Sequence, residues 1–128
     1  IIVKDSTIIG RGNNQVTLNN DPSAHAEIVA IRDACNRLKD FNLEGCTLYT
    51  SCEPCPMCLA AIYWARISRV VYAASGTDAA QAGFDDAFIA NELCLPHEQK
   101  ALTIERCQCD NHLQCFKDWN NKTDKTVY

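Results

Sequence analysis

Two features are missing from this sequence, and each absence removes a class of function. No apolar stretch in the 128 residues approaches the ~20 needed to span the core of a bilayer, so a membrane role is not expected. Lys and Arg are scattered without a basic run, and the formal net charge is −4. Long nucleic acids are held mainly through phosphate contacts made by a positive face. The charge balance therefore points away from nucleic acid and toward a small, uncharged substrate. There is no internal repeat, linker or low-complexity tract. There is no initial Met either: the chain opens at Ile1 on a strand-like run, so its true start, with any targeting segment, is expected to be missing.

What is present fits one compact domain. A chain of 128 residues is long enough for a single core and too short for two. Hydrophobic residues at 47% and charged residues at 22% are ordinary for a globular protein and argue against disorder. Cysteine is abundant: there are nine, an odd number that leaves at least one unpaired. A secreted disulfide scaffold would be shorter and would not place cysteines inside helical and strand patterns, as Cys35 and Cys46 are placed. Reduced thiols in the cytoplasm are expected.

Ile1–Val3 and Thr7–Gly10 are short β-branched runs around Lys4-Asp5-Ser6, which predicts a hairpin. The Asn-rich stretch from Arg11 to Asn20 reads as a loop. Asp21-Pro22-Ser23 is a helix-start signal, and Ala24, Ile28, Ile31, Cys35 and Leu38 recur at three- and four-residue steps, predicting a helix to about Leu38. Strands are predicted at Cys46–Thr50, Arg69–Ala73 and Leu102–Arg106, the last of them the final strand. A second helix is predicted from about Cys55 through Trp64. Strand, helix, strand with a right-handed crossover gives parallel neighbours in an α/β sheet. Gly76–Asp86 reads as loop with a short helix, Phe88–Leu93 as a helical turn, and His112–Asn120 as a terminal helix with Leu113, Phe116 and Trp119 on one face.

The chemistry gathers at Ser51-Cys52-Glu53-Pro54-Cys55-Pro56-Met57-Cys58 and at the earlier triplet His25-Ala26-Glu27. A catalytic zinc takes three protein ligands and keeps a fourth position for water, whereas a structural zinc fills all four with Cys or His. His25, Cys55 and Cys58 make three. Glu27, two residues past His25, does not easily reach the same ion, but its carboxylate can face the open position and accept a proton from water. It would sit in the first turn of a helix, where free N–H groups and the dipole favour an anion. His-x-Glu followed by Pro-Cys-x-x-Cys is the signature of zinc-dependent base deaminases.

With these residues the chain resembles the cytidine deaminase superfamily, and within it the purine-acting branch. The resemblance runs through Asp21–Glu27 and Tyr49–Cys58. Ala61-Ile62-Tyr63-Trp64-Ala65-Arg66 and Ala82-Gly83-Phe84-Asp85-Asp86 are similar to bacterial-type guanine deaminases. The resemblance implies a three-layer α-β-α sandwich with a five-stranded mixed sheet, a homodimer, and a C-terminal segment swapped onto the partner, where a terminal aromatic matching Tyr128 closes the site. It implies zinc as cofactor, Glu27 as proton carrier, and hydrolysis of guanine to xanthine and ammonia. Backbone N–H groups at Ala26 and Cys55 would steady the developing oxygen charge. Asn14 and Asp86 would read the base edge, with Trp64 and Tyr128 as aromatic walls. The family also carries a helix and a Pro-Phe-Gly-Ala-like segment before the first strand; this sequence has neither, so one face of the sheet is expected to be partly bare.

Plainer readings stand beside these. The zinc would be structural if Cys52 supplied a fourth ligand. Glu27 would be a solvated carboxylate at a helix start, Asn14 a turn residue, Asp86 a helix cap, Trp64 a core aromatic and Tyr128 a frayed terminus. Cys107, Cys109, His112 and Cys115 have the density of a small metal site, although plain cysteines are the preferred reading. Among functions, deamination of guanosine, another aminopurine or aminotriazine, or a transfer-RNA adenosine keeps the chemistry and changes the substrate. A zinc-stabilised binding module without catalysis is the reading from another class.

Overall fold

The computed structural model describes residues 1–84 and 86–128. Strand β1 (Ile2–Lys4) turns back into β2 (Thr7–Gly10) through Asp5 and Ser6, whose φ angles are 47° and 62°. Two left-handed residues in a two-residue loop match the twist of the strands they join, and the expected hairpin forms. The free edge of β1 pairs antiparallel with β3 (Thr47–Cys52), and β3 pairs in parallel with β4 (Arg69–Ala74). The result is a mixed sheet in the order β2-β1-β3-β4.

Short helix α1 (Val16–Asn19) breaks the predicted loop, and α2 (Ala26–Leu38) follows it. The long helix starts later than its apolar spacing suggests, because Asp21 spends its carboxylate on a local turn. Its Oδ1 accepts from the Ser23 backbone N–H at 2.9 Å and from Ser23 Oγ at 2.7 Å, which leaves His25 extended as the residue that opens the helix. Helix α3 (Pro56–Trp64) makes the predicted crossover between the parallel strands. The core lies where these helices meet the sheet: Ala30 and Ala34 from α2, Ile62 from α3 and Ala65 just past its end pack with Ile2, Leu43, Cys46 and Leu48.

Helix α2 rides unusually close to the hairpin and the loop beyond it. A Cβ at Gly10 would lie 2.6 Å from the Ala30 carbonyl oxygen, and one at Gly12 would lie 2.1 Å from that of Ala26. Only glycine fits between strand and helix there, and the alanines of α2 complete the close approach. The loop carrying Asn14 is thereby pressed against the first turn of α2. Along β3 the pleat alternates: Leu48 is buried, whereas Tyr49 on the opposite face is 41% exposed.

After β4 come α4 (Gly76–Gln81), α5 (Asp86–Cys94), a 3₁₀ turn at His97–Gln99 and α6 (Gln114–Asn121). The predicted helical turn at Phe88–Leu93 is the body of α5. Strand β3 runs two residues beyond its predicted end because Cys52 still pairs with Ala74. The fifth strand is a correction: Leu102–Arg106 joins no ladder among the described residues, and the sheet has four strands. A strand needs an open edge within reach. Among the described residues the outer edge of β4 is open, and residues 101–128 lie exposed without pairing to it.

Candidate active site

The first turns of α2 and α3 converge beside the C-terminal end of β3. His25 opens α2 with extended backbone (φ −67°, ψ 157°), and Cys55 opens α3 the same way (φ −60°, ψ 165°). Pro56 takes the first helical position, where its missing N–H is no loss. Cys58 follows in the same turn. Cys55 Sγ lies 3.6 Å from His25 Nδ1, and the donor atoms of His25, Cys55 and Cys58 all lie within 4.8 Å of one another.

The two thiols do not titrate alike. Cys58 donates to Cys55, and backbone N–H groups at the start of α3 and nearby His25 add to that support, so Cys55 is drawn down to about 6 against the opposing effect of burial. Cys58 is pushed up strongly, first by its bond to Cys55, then by burial and by the Glu27 carboxylate facing it. One preformed thiolate, a second buried thiol and an imidazole, drawn together without a fourth protein donor among the described residues, suit an ion such as zinc that keeps one position open. Cys52 does not close that position, because its thiol turns away to the Ser75 carbonyl oxygen at 3.8 Å.

Glu27 faces this cluster from the first turn of α2. Its Oε2 lies 3.5 Å from Cys58 Sγ, and Thr50 Oγ1 donates to its Oε1 at 3.0 Å. A cavity of about 400 Å³ opens in front, and its lining includes His25, Glu27, Cys55, Asn14, Phe84 and Asp86. Ala26 also lines it, so its backbone can serve the same space. Asn14 Oδ1 accepts from the Val16 N–H at 3.1 Å, which fixes the side chain at the cavity rim. Asp85, within the Ala82–Asp86 run, lies outside the described residues.

Trp64 and Tyr128 are elsewhere in the same chain. Their rings meet at 6.0 Å, Tyr128 also stands edge-on to Phe41 at 6.4 Å, and all three line a separate cavity of about 580 Å³ with Ile31 and Cys35. Among the described residues of one chain, Phe84 is the Phe, Tyr or Trp that lines the 400 Å³ cavity. Cys107, Cys109, His112 and Cys115 are not gathered: among the described residues only His25, Cys55 and Cys58 form a group compact enough for a metal.

Sequence reasoning passed over Thr50 and Glu53. The signal for Thr50 was available, since it shares the inward parity of buried Leu48 two residues before it. Glu53 Oε2 accepts from Gly76 N at 2.8 Å and so ties the cysteine loop to the start of α4; nothing local in the sequence announces a contact across 23 residues.

The model of the cytidine and deoxycytidylate deaminase zinc-binding region matches residues 1–74. This chain belongs to that deaminase family. It is 53% identical over 128 residues to guanine deaminase from Bacillus subtilis, covering 100% of this chain and 82% of the relative. The X-ray structure of the Bacillus subtilis guanine deaminase matches it with a TM-score of 0.97 over the same shares, so the chain has the cytidine deaminase-like α/β fold. A tRNA-specific adenosine deaminase from Aquifex aeolicus is 44% identical over 101 residues, covering 78% of this chain and 66% of that protein. Among the described residues, no helix of this deaminase is long and apolar enough to cross a membrane.

Proposed function

We propose that this deaminase converts guanine and water to xanthine and ammonia at a zinc site formed by His25, Cys55 and Cys58, with Glu27 as the catalytic proton carrier. The choice of guanine is carried by the reach of its likeness to the Bacillus subtilis enzyme, which runs the full chain, tail included, whereas the Aquifex aeolicus likeness spans 101 residues. Zinc bound there supplies the acidity that makes water a nucleophile near neutral pH. Glu27 takes a proton from the attacking water, hands it to a ring nitrogen of the base, and delivers a proton to the departing amine. The backbone N–H groups of Ala26 and Cys55 steady the oxygen as charge gathers on it. Asn14 and Asp86 read the polar edge of the base, and unpaired buried polar groups reject bases that lack the matching atoms.

The tail completes the site in a second copy. Three observations among the described residues support this: the open edge of β4, the unpaired Leu102–Arg106, and an α6 of 8 residues whose N-cap Leu113 and whose Phe116 are exposed at 50% and 64%. An isolated helix that short is marginal in water, so it needs a packing partner. In this reading Leu102–Arg106 of one subunit becomes the fifth strand of the other's sheet in a three-layer homodimer, and Tyr128 travels with the tail to wall the partner's catalytic cavity, while Trp64 stays fixed at the end of α3 as an aromatic wall at the subunit boundary. Nine free thiols suit a cytoplasmic, reducing setting.

The test is ammonia release from zinc-loaded protein offered guanine, guanosine, adenine, cytosine and an anticodon stem bearing adenosine 34. Turnover of guanine above the others is expected. Turnover of only the nucleoside or the RNA would overturn the substrate assignment, and none on any, with zinc bound, would favour the binding module.

A further inference from the structure

We infer that Thr50 is a positioning residue that divides the labour of the two Glu27 oxygens, anchoring Oε1 so that Oε2 alone is left to carry the proton. The inference rests on the role given to Glu27 above and asks what holds that carboxylate. Thr50 sits on β3 with its side chain on the inward face, and its Oγ1 donates to Glu27 Oε1 at 3.0 Å from 23 residues away. The other oxygen, Oε2, faces Cys58 Sγ at 3.5 Å, toward the cluster of metal-competent donors. Thr50 lies outside the metal-competent cluster of His25, Cys55 and Cys58, so its hydrogen bond to Glu27 is an anchor independent of that cluster. Both partners stand on rigid elements. A β-branched threonine in a strand is restricted at χ1, whereas a glutamate has three rotatable bonds and would otherwise sample many orientations. Fixing one oxygen presets the direction of the second, and misplacing a reacting group by about 1 Å can cost about 100-fold in rate.

Thr50 also borders the 400 Å³ cavity, so direct contact with the substrate is the competing role. The two roles separate in kinetics. A substrate contact weakens KM, while loss of carboxylate positioning lowers kcat and spares KM. Thr50→Val keeps the shape and removes the hydroxyl, Thr50→Ser restores it, and Thr50→Ala serves if the valine variant folds poorly.

The experiment measures zinc content, guanine kinetics and the crystal structures of the wild type and these variants. Zinc content is expected to stay unchanged. In Thr50→Val or Thr50→Ala, kcat should fall about 10- to 100-fold with KM within about threefold, by loss of orientation alone. Thr50→Ser should recover to within about fivefold of wild type, and the Glu27 carboxylate should leave its native orientation in the valine structure and keep it in the serine structure. Unchanged kcat, a raised KM with kcat preserved, or an unmoved Glu27 in Thr50→Val would each overturn the inference. If wild-type protein releases no ammonia from any base, the proposed function fails on its own, and the Glu27 orientation in the variant crystals still decides the role of Thr50.

Discussion

Glu27 is the residue whose chemistry separates an enzyme from a metal-stabilised module. It is not among the three metal-competent donors, so Glu27→Gln should leave zinc content unchanged, by atomic absorption, while guanine turnover falls by about 10² to 10⁴, the usual worth of a positioned acid–base group. Wild-type rates in that variant would discard the catalytic role. The thiols predict a pH dependence of their own. Cys55 is already ionised above about 6 and Cys58 is not, so metal binding displaces one thiol proton above that pH and two below it. Because ligands must be deprotonated to bind, the thiol contribution to zinc affinity should fall about tenfold per pH unit on the alkaline side and about a hundredfold per unit on the acid side. Competition with a chromophoric chelator across that range would show the break, and a single slope throughout would contradict it.

At the scale of elements, the site depends on how tightly α2 is pressed to the loop before it. A methyl at position 12 would lie 2.1 Å from the Ala26 carbonyl oxygen, too close to accommodate without moving backbone. Gly12→Ala should therefore destabilise by about 1–3 kcal/mol, as overpacking does, and raise KM because the loop carrying Asn14 is displaced; thermal unfolding and steady-state kinetics would check both. The capping box at the start of α4 is a milder case: Ser75 Oγ accepts from Asp78 N at 3.2 Å while Asp78 Oδ2 accepts from Ser75 N at 2.8 Å. Ser75→Ala should cost about 1 kcal/mol in chemical denaturation.

These elements also show what sequence could reveal. The hairpin, α2, α3 and the parallel pair were legible because turn residues and apolar spacing are local signals. So was the gathering of His25, Glu27, Cys55 and Cys58, which the His-x-Glu and Cys-x-x-Cys spacing places at two helix starts. The start of α2 was misplaced because Asp21 could cap a helix or close a turn on Ser23, and spacing alone does not choose. Leu102–Arg106 has the composition of a strand but joins no ladder among the described residues, and composition cannot say which edge a strand will meet. Thr50 and Glu53 act across 23 residues each, a distance over which only the folded sheet carries information.

At the scale of the molecule, the exposed tail predicts that size and activity are linked. Removing residues 101–128 should leave a monomer by sedimentation and abolish turnover, while a tail-deleted chain that remained dimeric and active would refute the swap. The same tail has a genetic consequence. Take one subunit that lacks Tyr128 but keeps Glu27, and another that carries Glu27→Gln but keeps its tail: each is inert as a homodimer. Under the proposed swap, a mixed pair gives the first subunit's intact centre the second's intact tail, and one working site is expected to return. Two dead alleles expressed together would thus restore growth on guanine as a nitrogen source.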